Sequence, residues 1–397
     1  MKVFQVVFVL MMLLNIKAYG QCKEIKLAVK AMNNSDIDSS VASLKLAKAI
    51  ITENGIETVN EKCMAKYHYT YAATQLIIGQ KKDSLVAKIK YFNISENQYG
   101  KFLKIDQSGD LYDIVMSNLL SLSVEYSNVG VEYYQAKNFE KALVYMQKGI
   151  SLKAKYYPGN IKPIDRFNAM VCAKMVGNYP LALTFADSLL AQEKLSKDDR
   201  IKYLGQKVEI LTAADSSEKA LVVLDTLKIL DPTDPDLKLS ELQIYLNKSQ
   251  NTKAIVLLND ITKTLKNRED LWLIKGQLHY QESQIDSSVK AFSNALILNK
   301  SSYSALYGLG VIYVNKGNQS IQSMNQSNGH EKLAFEESVK IDFGVAIGYL
   351  TTILEFKTED LNSLNALKMI YNSLSDEDNE KLIDDRILNI KNPTVEE

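Results

Sequence analysis

Three histidines and three cysteines are the residues of this chain best suited to metal or nucleophilic chemistry, and their spacing decides what they can do. His68, His279 and His330 each lack a second ligand at helical spacing, such as the His-Glu-x-x-His pattern supplies, so no zinc centre is expected. Cys22, Cys63 and Cys172 show no Cys-x-x-Cys spacing. There is no Gly-x-Ser-x-Gly elbow to expose a nucleophile and no Gly-x-x-x-x-Gly-Lys-Ser/Thr loop to cradle phosphates. The paired carboxylates Asp384 and Asp385 read as the solvated face of a C-terminal helix. The side chains therefore point to noncovalent recognition. No enzyme activity, catalytic residue, cofactor or metal is expected.

Charge narrows the partner. Lys+Arg and Asp+Glu both total 47, so no net field favours a nucleic-acid backbone or an acidic membrane. Protein or peptide is the expected partner class, and nucleic acid is not.

The N-terminus reads as an address. Lys2 precedes an apolar run from Val3 to Leu14, followed by Ala18-Tyr19-Gly20. A charged start, a short apolar core and small residues at the exit are the marks of a secretory signal peptide, cleaved after Gly20. The run is too short to cross a bilayer, which takes ~20 residues, and no later stretch is apolar for that length. A periplasmic or secreted protein without a transmembrane segment is expected. Gln21 before Cys22 and Tyr19 before Gly20 match a lipoprotein signal poorly, so lipid anchoring at Cys22 is the lesser expectation. In an oxidising compartment one cysteine pair can close and one thiol is left over. Cys172 reads as a small buried residue on a helix. Cys22 precedes the first mature helix and Cys63 lies early in the third; in a stack of pairs those helices are parallel neighbours, so both sulfurs can lie at one end.

Periodicity supplies the elements that must position any binding surface. Trp272-x-x-Lys275-Gly276-x-x-His279 is followed by Ser288-x-x-x-Phe292-x-x-Ala295. The frame returns as Tyr126, Val129, Gly130 and Tyr133 with Ala142, Met146 and Gly149, and as Leu204, Val208 and Leu211 with Ala220, Leu224 and Leu227. A weaker copy runs through Ala169, Ala173, Ala182 and Ala186, and Leu306, Leu309, Gly310 and Tyr313 open another. Ala220, Ala254 and Ser288 stand 34 residues apart. Small residues at two fixed places let two helices approach closely, while large ones fill the gap beside them. Lys137-Asn138-Phe139, Gly177-Asn178-Tyr179-Pro180 and Asp215-Ser216-Ser217 mark reversals within pairs, and Asp231-Pro232 a turn between them.

This pattern resembles the tetratricopeptide repeat (TPR), whose frame is W-x₂-L-G-x₂-Y…A-x₃-F…P over 34 residues. Lys275, His279 and Ser288 depart from that frame. The resemblance implies an all-α fold, an α-α superhelix of stacked helix-turn-helix repeats. Its expected parts are a signal peptide over 1–20, degenerate TPR-like helices over 21–122, and TPR repeats over 123–317. An insertion over 318–345 precedes the last TPR helices and a C-terminal capping helix over 346–397. The degenerate part rests on amphipathic runs such as Val41-Leu44-Ala47-Lys48-Ile51, Tyr67–Ile78 and Tyr99-Phe102-Ile105. In the insertion a polar tract from Asn318 to Gly329 displaces the partner helix by about two dozen residues, giving an extended helix-turn. The segment from Leu306 to Gly317, the insertion and the run Leu364-x-x-Leu367-Lys368-x-x-Tyr371 resemble secreted TPR proteins common in Bacteroidetes.

In that family the first helix of each pair lines a groove, and its inward places can be read in phase. The resemblance puts Tyr134, Phe167, Val171, Tyr280, Tyr307 and Val311 there, with amides such as Gln243 and Gln277. Lys174 is the one cation at these places, so a clamp for a chaperone's terminal carboxylate is not expected. The groove suits an extended peptide or a partner helix. The expected function is a protein-interaction scaffold or adaptor in the bacterial cell envelope. The alternative is a component of a glycan or nutrient capture system at the outer membrane.

Overall fold

A computed structural model describes residues 22–55 and 59–392. The expected signal peptide lies outside the described residues. Among those residues the chain is all helix, with 18 α-helices and no strand. They divide into two compact units that meet in sequence between Leu230 and Asp231.

In the first unit α1 (22–33) pairs with α2 (Ile37–Asn54), α3 (Glu61–Gln80) with α4 (Leu85–Ile105), and α5 (Asp110–Gln135) with α6 (Phe139–Tyr156). The pairs α7 (Pro163–Met175) with α8 (Tyr179–Leu190) and α9 (Lys197–Ala213) with α10 (Ser217–Leu230) complete it. The second unit holds α11 (Pro235–Asn247) with α12 (Asn251–Thr264), and α13 (Glu269–Gln281) with α14 (Ile285–Leu298). It ends with α15 (Tyr303–Gln326) beside α16 (Gly329–Phe356), and α17 (Leu361–Ser373) beside α18 (Glu377–Lys391). Odd-numbered helices are called A and even-numbered ones B below.

One turn recurs between A and B. Ser35, Lys137, Asp215, Ser249, Ser283 and Ser375 all have φ between 51° and 60°, and Gly177 takes the same place at 74°. After each, an amide bonds back to the last turn of helix A: Asn138 to Tyr133 O at 2.9 Å, Gln284 to His279 O at 2.8 Å. This is the Schellman closure, which satisfies carbonyls a helix end would otherwise leave open. The residue that follows often starts helix B as its cap: Asn138 Oδ1 accepts from the Lys141 amide and Asn178 Oδ1 from the Leu181 amide. A left-handed residue other than glycine costs about 1 kcal/mol, so the closure and the packing of both helices must offset it.

Side chains at the repeat's small places show why they are small. A Cβ on Gly130 would stand 2.6 Å from Met146 Cγ and 3.0 Å from Ala142 O, and one on Gly276 would stand 2.7 Å from the Phe292 ring. A Cβ on Gly149 would meet the Ser123 carbonyl at 2.7 Å. Around these contacts runs a continuous apolar core in the first unit, from Ala72 and Phe92 through Tyr126 and Met146 to Ala186 and Ile210. A separate cluster of Ile25, Ala28, Leu44, Ala47 and Met64 joins α1, α2 and α3.

Cys22 on α1 and Cys63 in the first turn of α3 form a disulfide with Cα atoms 5.7 Å apart. Cys172 is fully buried, its thiol directed at Met146 Sδ at 3.5 Å, and burial pushes its pKa up to about 11.

The segment 318–345 is an extended helix-turn, helical apart from residues 327 and 328. α15 continues to Gln326 and α16 begins at Gly329, so the polar tract lengthens both helices of one pair. A Cβ on Gly317 would collide with the Phe343 ring, and Ile321 packs on the core formed by Val339, Phe343 and Leu350. Those apolar contacts, one turn apart along a Gln- and Asn-rich stretch, hold the extension in register.

Two outcomes are expected. Gly149→Ala should lower the urea midpoint, because a backbone clash worth about 1–3 kcal/mol exceeds the helix-propensity gain of ~1 kcal/mol. Gly205→Ala, where a Cβ meets nothing within 4 Å, should raise it. Thiol titration at pH 8 should label no cysteine in the native protein, one after denaturation without reductant and three with it. Two or more labelled thiols without reductant would contradict the bridge.

Candidate functional site

The A helices of the first unit are placed by buried polar contacts. Lys153 on α6 sits 2.8 Å from both Asp165 oxygens on α7, with the two side chains only 6% and 9% exposed. Asp165 Oδ2 also accepts from the Lys162 amide, so one carboxylate caps α7 and fastens it to α6. Tyr126 on α5, fully buried, donates to Asn93 Oδ1 at 2.8 Å and lies 2.9 Å from Glu96 Oε2 on α4. Lys148 on α6 joins both groups, at 2.7 Å and 2.9 Å. Burial and the neighbouring Glu96 push the Tyr126 phenol well above its usual range, so it stays a donor.

On the exposed side of this frame Tyr134 from α5 and Phe167 and Val171 from α7 come together. With Val131, Asn168 and Met146 they line a cavity of about 240 Å³. Tyr134 is 38% exposed, and its ring meets Phe139 edge-on. The rim comes from α9. Lys202 Nζ lies 4.2 Å above the Phe167 ring, and Lys174 is held 2.6 Å from Glu209 and 3.2 Å from Gln206. Reading Lys174 as the one cation of the face is thus corrected: Lys202 reaches the same ring, and Lys174 is neutralised by Glu209. The α9 contribution was legible in principle, because Leu204, Val208 and Leu211 already mark that helix as A.

The other three residues fall in the second unit. Tyr280 on α13 accepts from Asn315 Nδ2 at 2.6 Å and lines a cavity of about 560 Å³ with Gln277, Asn315, Gln319 and Gln322. Tyr307 on α15 stacks on Tyr303 with centroids 5.7 Å apart, and Val311 is half-buried. Leu246, Leu273 and Gln277 instead line a further cavity of about 520 Å³ floored by Phe292.

His68 and His279 hold packing positions, whereas His330 is exposed. His68 is buried, with Nδ1 2.7 Å from Gln98 Oε1, and burial lowers its pKa. His279 is buried with Nδ1 2.7 Å from Gln284 Oε1. Among the described residues no group of His, Cys, Asp and Glu could hold a metal, and no helix is long and apolar enough to cross a membrane.

No family model matches the sequence, and no curated protein matches it. Solved structures do. The C-terminal part of a TPR repeat-containing protein from Cytophaga hutchinsonii superposes with TM-score 0.50 at 16% identity, over 68% of this chain and 96% of that one. The fold is that of stacked TPR helix pairs. YrrB, described as a TPR protein with an unusual peptide-binding site, is similar at TM-score 0.35 and 13% identity, over 52% of this chain and 95% of that one. The apo form of RapI covers 94% of this chain and 97% of its own at TM-score 0.39 and 10% identity.

Lys153→Met should cost about 3–5 kcal/mol, because it leaves the Asp165 carboxylate buried without its partner. A lower urea midpoint checks this; an unchanged one would show that Asp165 is solvated.

Proposed function

We propose that this chain is a protein-binding scaffold of the bacterial cell envelope whose A-helix faces take an extended peptide or a partner helix. The observation that carries the reading is the cavity of Tyr134, Phe167 and Val171. A large aromatic side chain left 38% exposed beside an apolar pocket gains nothing from water, and such patches mark interaction surfaces. The rim of Lys202, Gln206 and Glu209 offers charge and amide partners to a peptide backbone. Tyr280, Tyr307 and Val311, with the amides around them, extend the reading to the second unit's A-helix face. The Cys22–Cys63 bridge supports an oxidising compartment, in keeping with the signal peptide read in the sequence.

The test is capture from an envelope fraction by the protein starting at Gln21. Aromatic anchors at hot spots are worth ~2 kcal/mol or more. Tyr134→Ala should weaken capture of a specific partner by about thirtyfold while leaving the helical signal and Tm unchanged. Unaltered capture by both Tyr134→Ala and Phe167→Ala would sink the assignment of this face.

A further inference from the structure

The second unit carries a different surface on its B-helix side, where two departures from the repeat frame meet. The frame asks for a leucine where Lys275 stands and an aromatic where His279 stands. Both side chains line a cleft of about 760 Å³ bounded by α12, α13 and α14. A lysine in place of a core leucine can pack its stem between the helices but turns its ammonium toward water, so this place lines an open cleft instead of a closed apolar contact.

The cleft is basic and its lining carries no carboxylate; the nearby Asp260 is bound to Lys238, though it also feels the charge of Lys263. Lys263, Lys266 and Lys290 line it with Lys275, and no Asp or Glu does. Among the described residues none of the four lysines forms an ion pair. The Lys275 ammonium has only Thr262 Oγ1 at 3.4 Å and the Trp272 ring, 5.0 Å to its centroid. Burial, and then repulsion from Lys290 and Lys263, lower its pKa. In a chain of balanced charge, with 47 basic and 47 acidic residues, three lysines around one half-buried ammonium are a local excess.

Two further features narrow the ligand. Ile297, 76% exposed, and Leu298, 39% exposed, form an apolar lip at one end, with Trp272 also lining the cleft. Asn259, Asn267 and Asn294 supply amides that both donate and accept, as a peptide backbone requires. A phosphate chain would use the lysines but neither the lip nor the amides, and no arginine is present for a bidentate phosphate contact. From Ser287 to Leu298 the cleft follows α14 for roughly 16 Å, the length of about five extended residues.

We propose that this cleft binds an acidic extended segment of a partner protein, its carboxylates on the lysines and one apolar side chain against Ile297 and Trp272. The site is separate from the A-helix faces and does not depend on them.

Trp272 is the single tryptophan of the chain, so its fluorescence reports this cleft alone. The probe is the peptide Glu-Glu-Leu-Glu-Glu, blocked at both ends, with Gln-Gln-Leu-Gln-Gln as the neutral control and inorganic polyphosphate as the competing class. The acidic peptide should give a saturable change that weakens with added salt. The change should weaken at least tenfold in the double variant Lys263→Gln, Lys290→Gln, whose sites are exposed and whose helical signal should be native. Lys275→Leu, which restores the frame, should raise Tm and remove the response. Tyr134→Ala should leave it intact, which separates failure here from failure of the A-helix reading. The proposal is overturned if no saturable change appears up to about 1 mM peptide, if the neutral peptide matches the acidic one, or if the lysine variants respond normally. A response to polyphosphate alone would overturn it too.

Discussion

Three of the helix pairs in this chain are organised around a close approach in which one helix offers no side chain and the other fills the space. Gly130 lies under Met146, Gly276 under the Phe292 ring and Gly310 under Leu350, where a Cβ would stand only 2.6–3.0 Å from the opposing side chain. Overlap at that distance is not relieved by a small rotation, because interiors are packed to crystal-like density. The approach fixes the spacing of A and B, and that spacing sets which large residues can interdigitate around it. It also leaves each pair with an apolar face that the neighbouring pair must cover. The buried sets of Ala142, Met146, Ala169 and Ala173, and of Phe292, Ala295, Ala305 and Leu309, are those covered faces.

The turns serve this contact rather than the reverse. Serine, lysine or aspartate takes the left-handed place in six of the reversals and glycine in one. A residue with intrinsic resistance to that conformation is tolerated because the following amide finds a carbonyl in helix A and the next helix is already packed. At α15–α16 the same contact between Gly310 and Leu350 persists although the turn lies some twenty residues beyond it. The packing geometry thus survives a large displacement of the turn, which identifies it as the stronger constraint.

The proposed surfaces arise at places the frame leaves undetermined. Tyr134, Phe167 and Val171 stand on A-helix places that neighbouring helices cover only in part, so packing within the pair leaves their identity loosely determined. Lys275 and His279 stand on places that packing does dictate, and they break the rule. The first kind gives a surface by position, the second by an opening in the stack.

What the sequence determined by itself was the periodic part: the helix pairs, the small places, the reversals at Lys137, Gly177 and Asp215, and the burial of Cys172. These follow from neighbours within about 34 residues, and one chain carries enough copies to show the phase. Tertiary structure alone decided the rest. Lys202 reaching Phe167, Glu209 neutralising Lys174, and Tyr280 turning to Asn315 are meetings between side chains of adjacent pairs, 35 residues apart in each of these cases. Their outcome depends on rotamers that periodicity does not encode. What holds the helical polar tract in register was hidden for a related reason. Its residues favour solvent in isolation, and only Phe343 and Val339, brought alongside by α16, give Gly317 and Ile321 something to pack against.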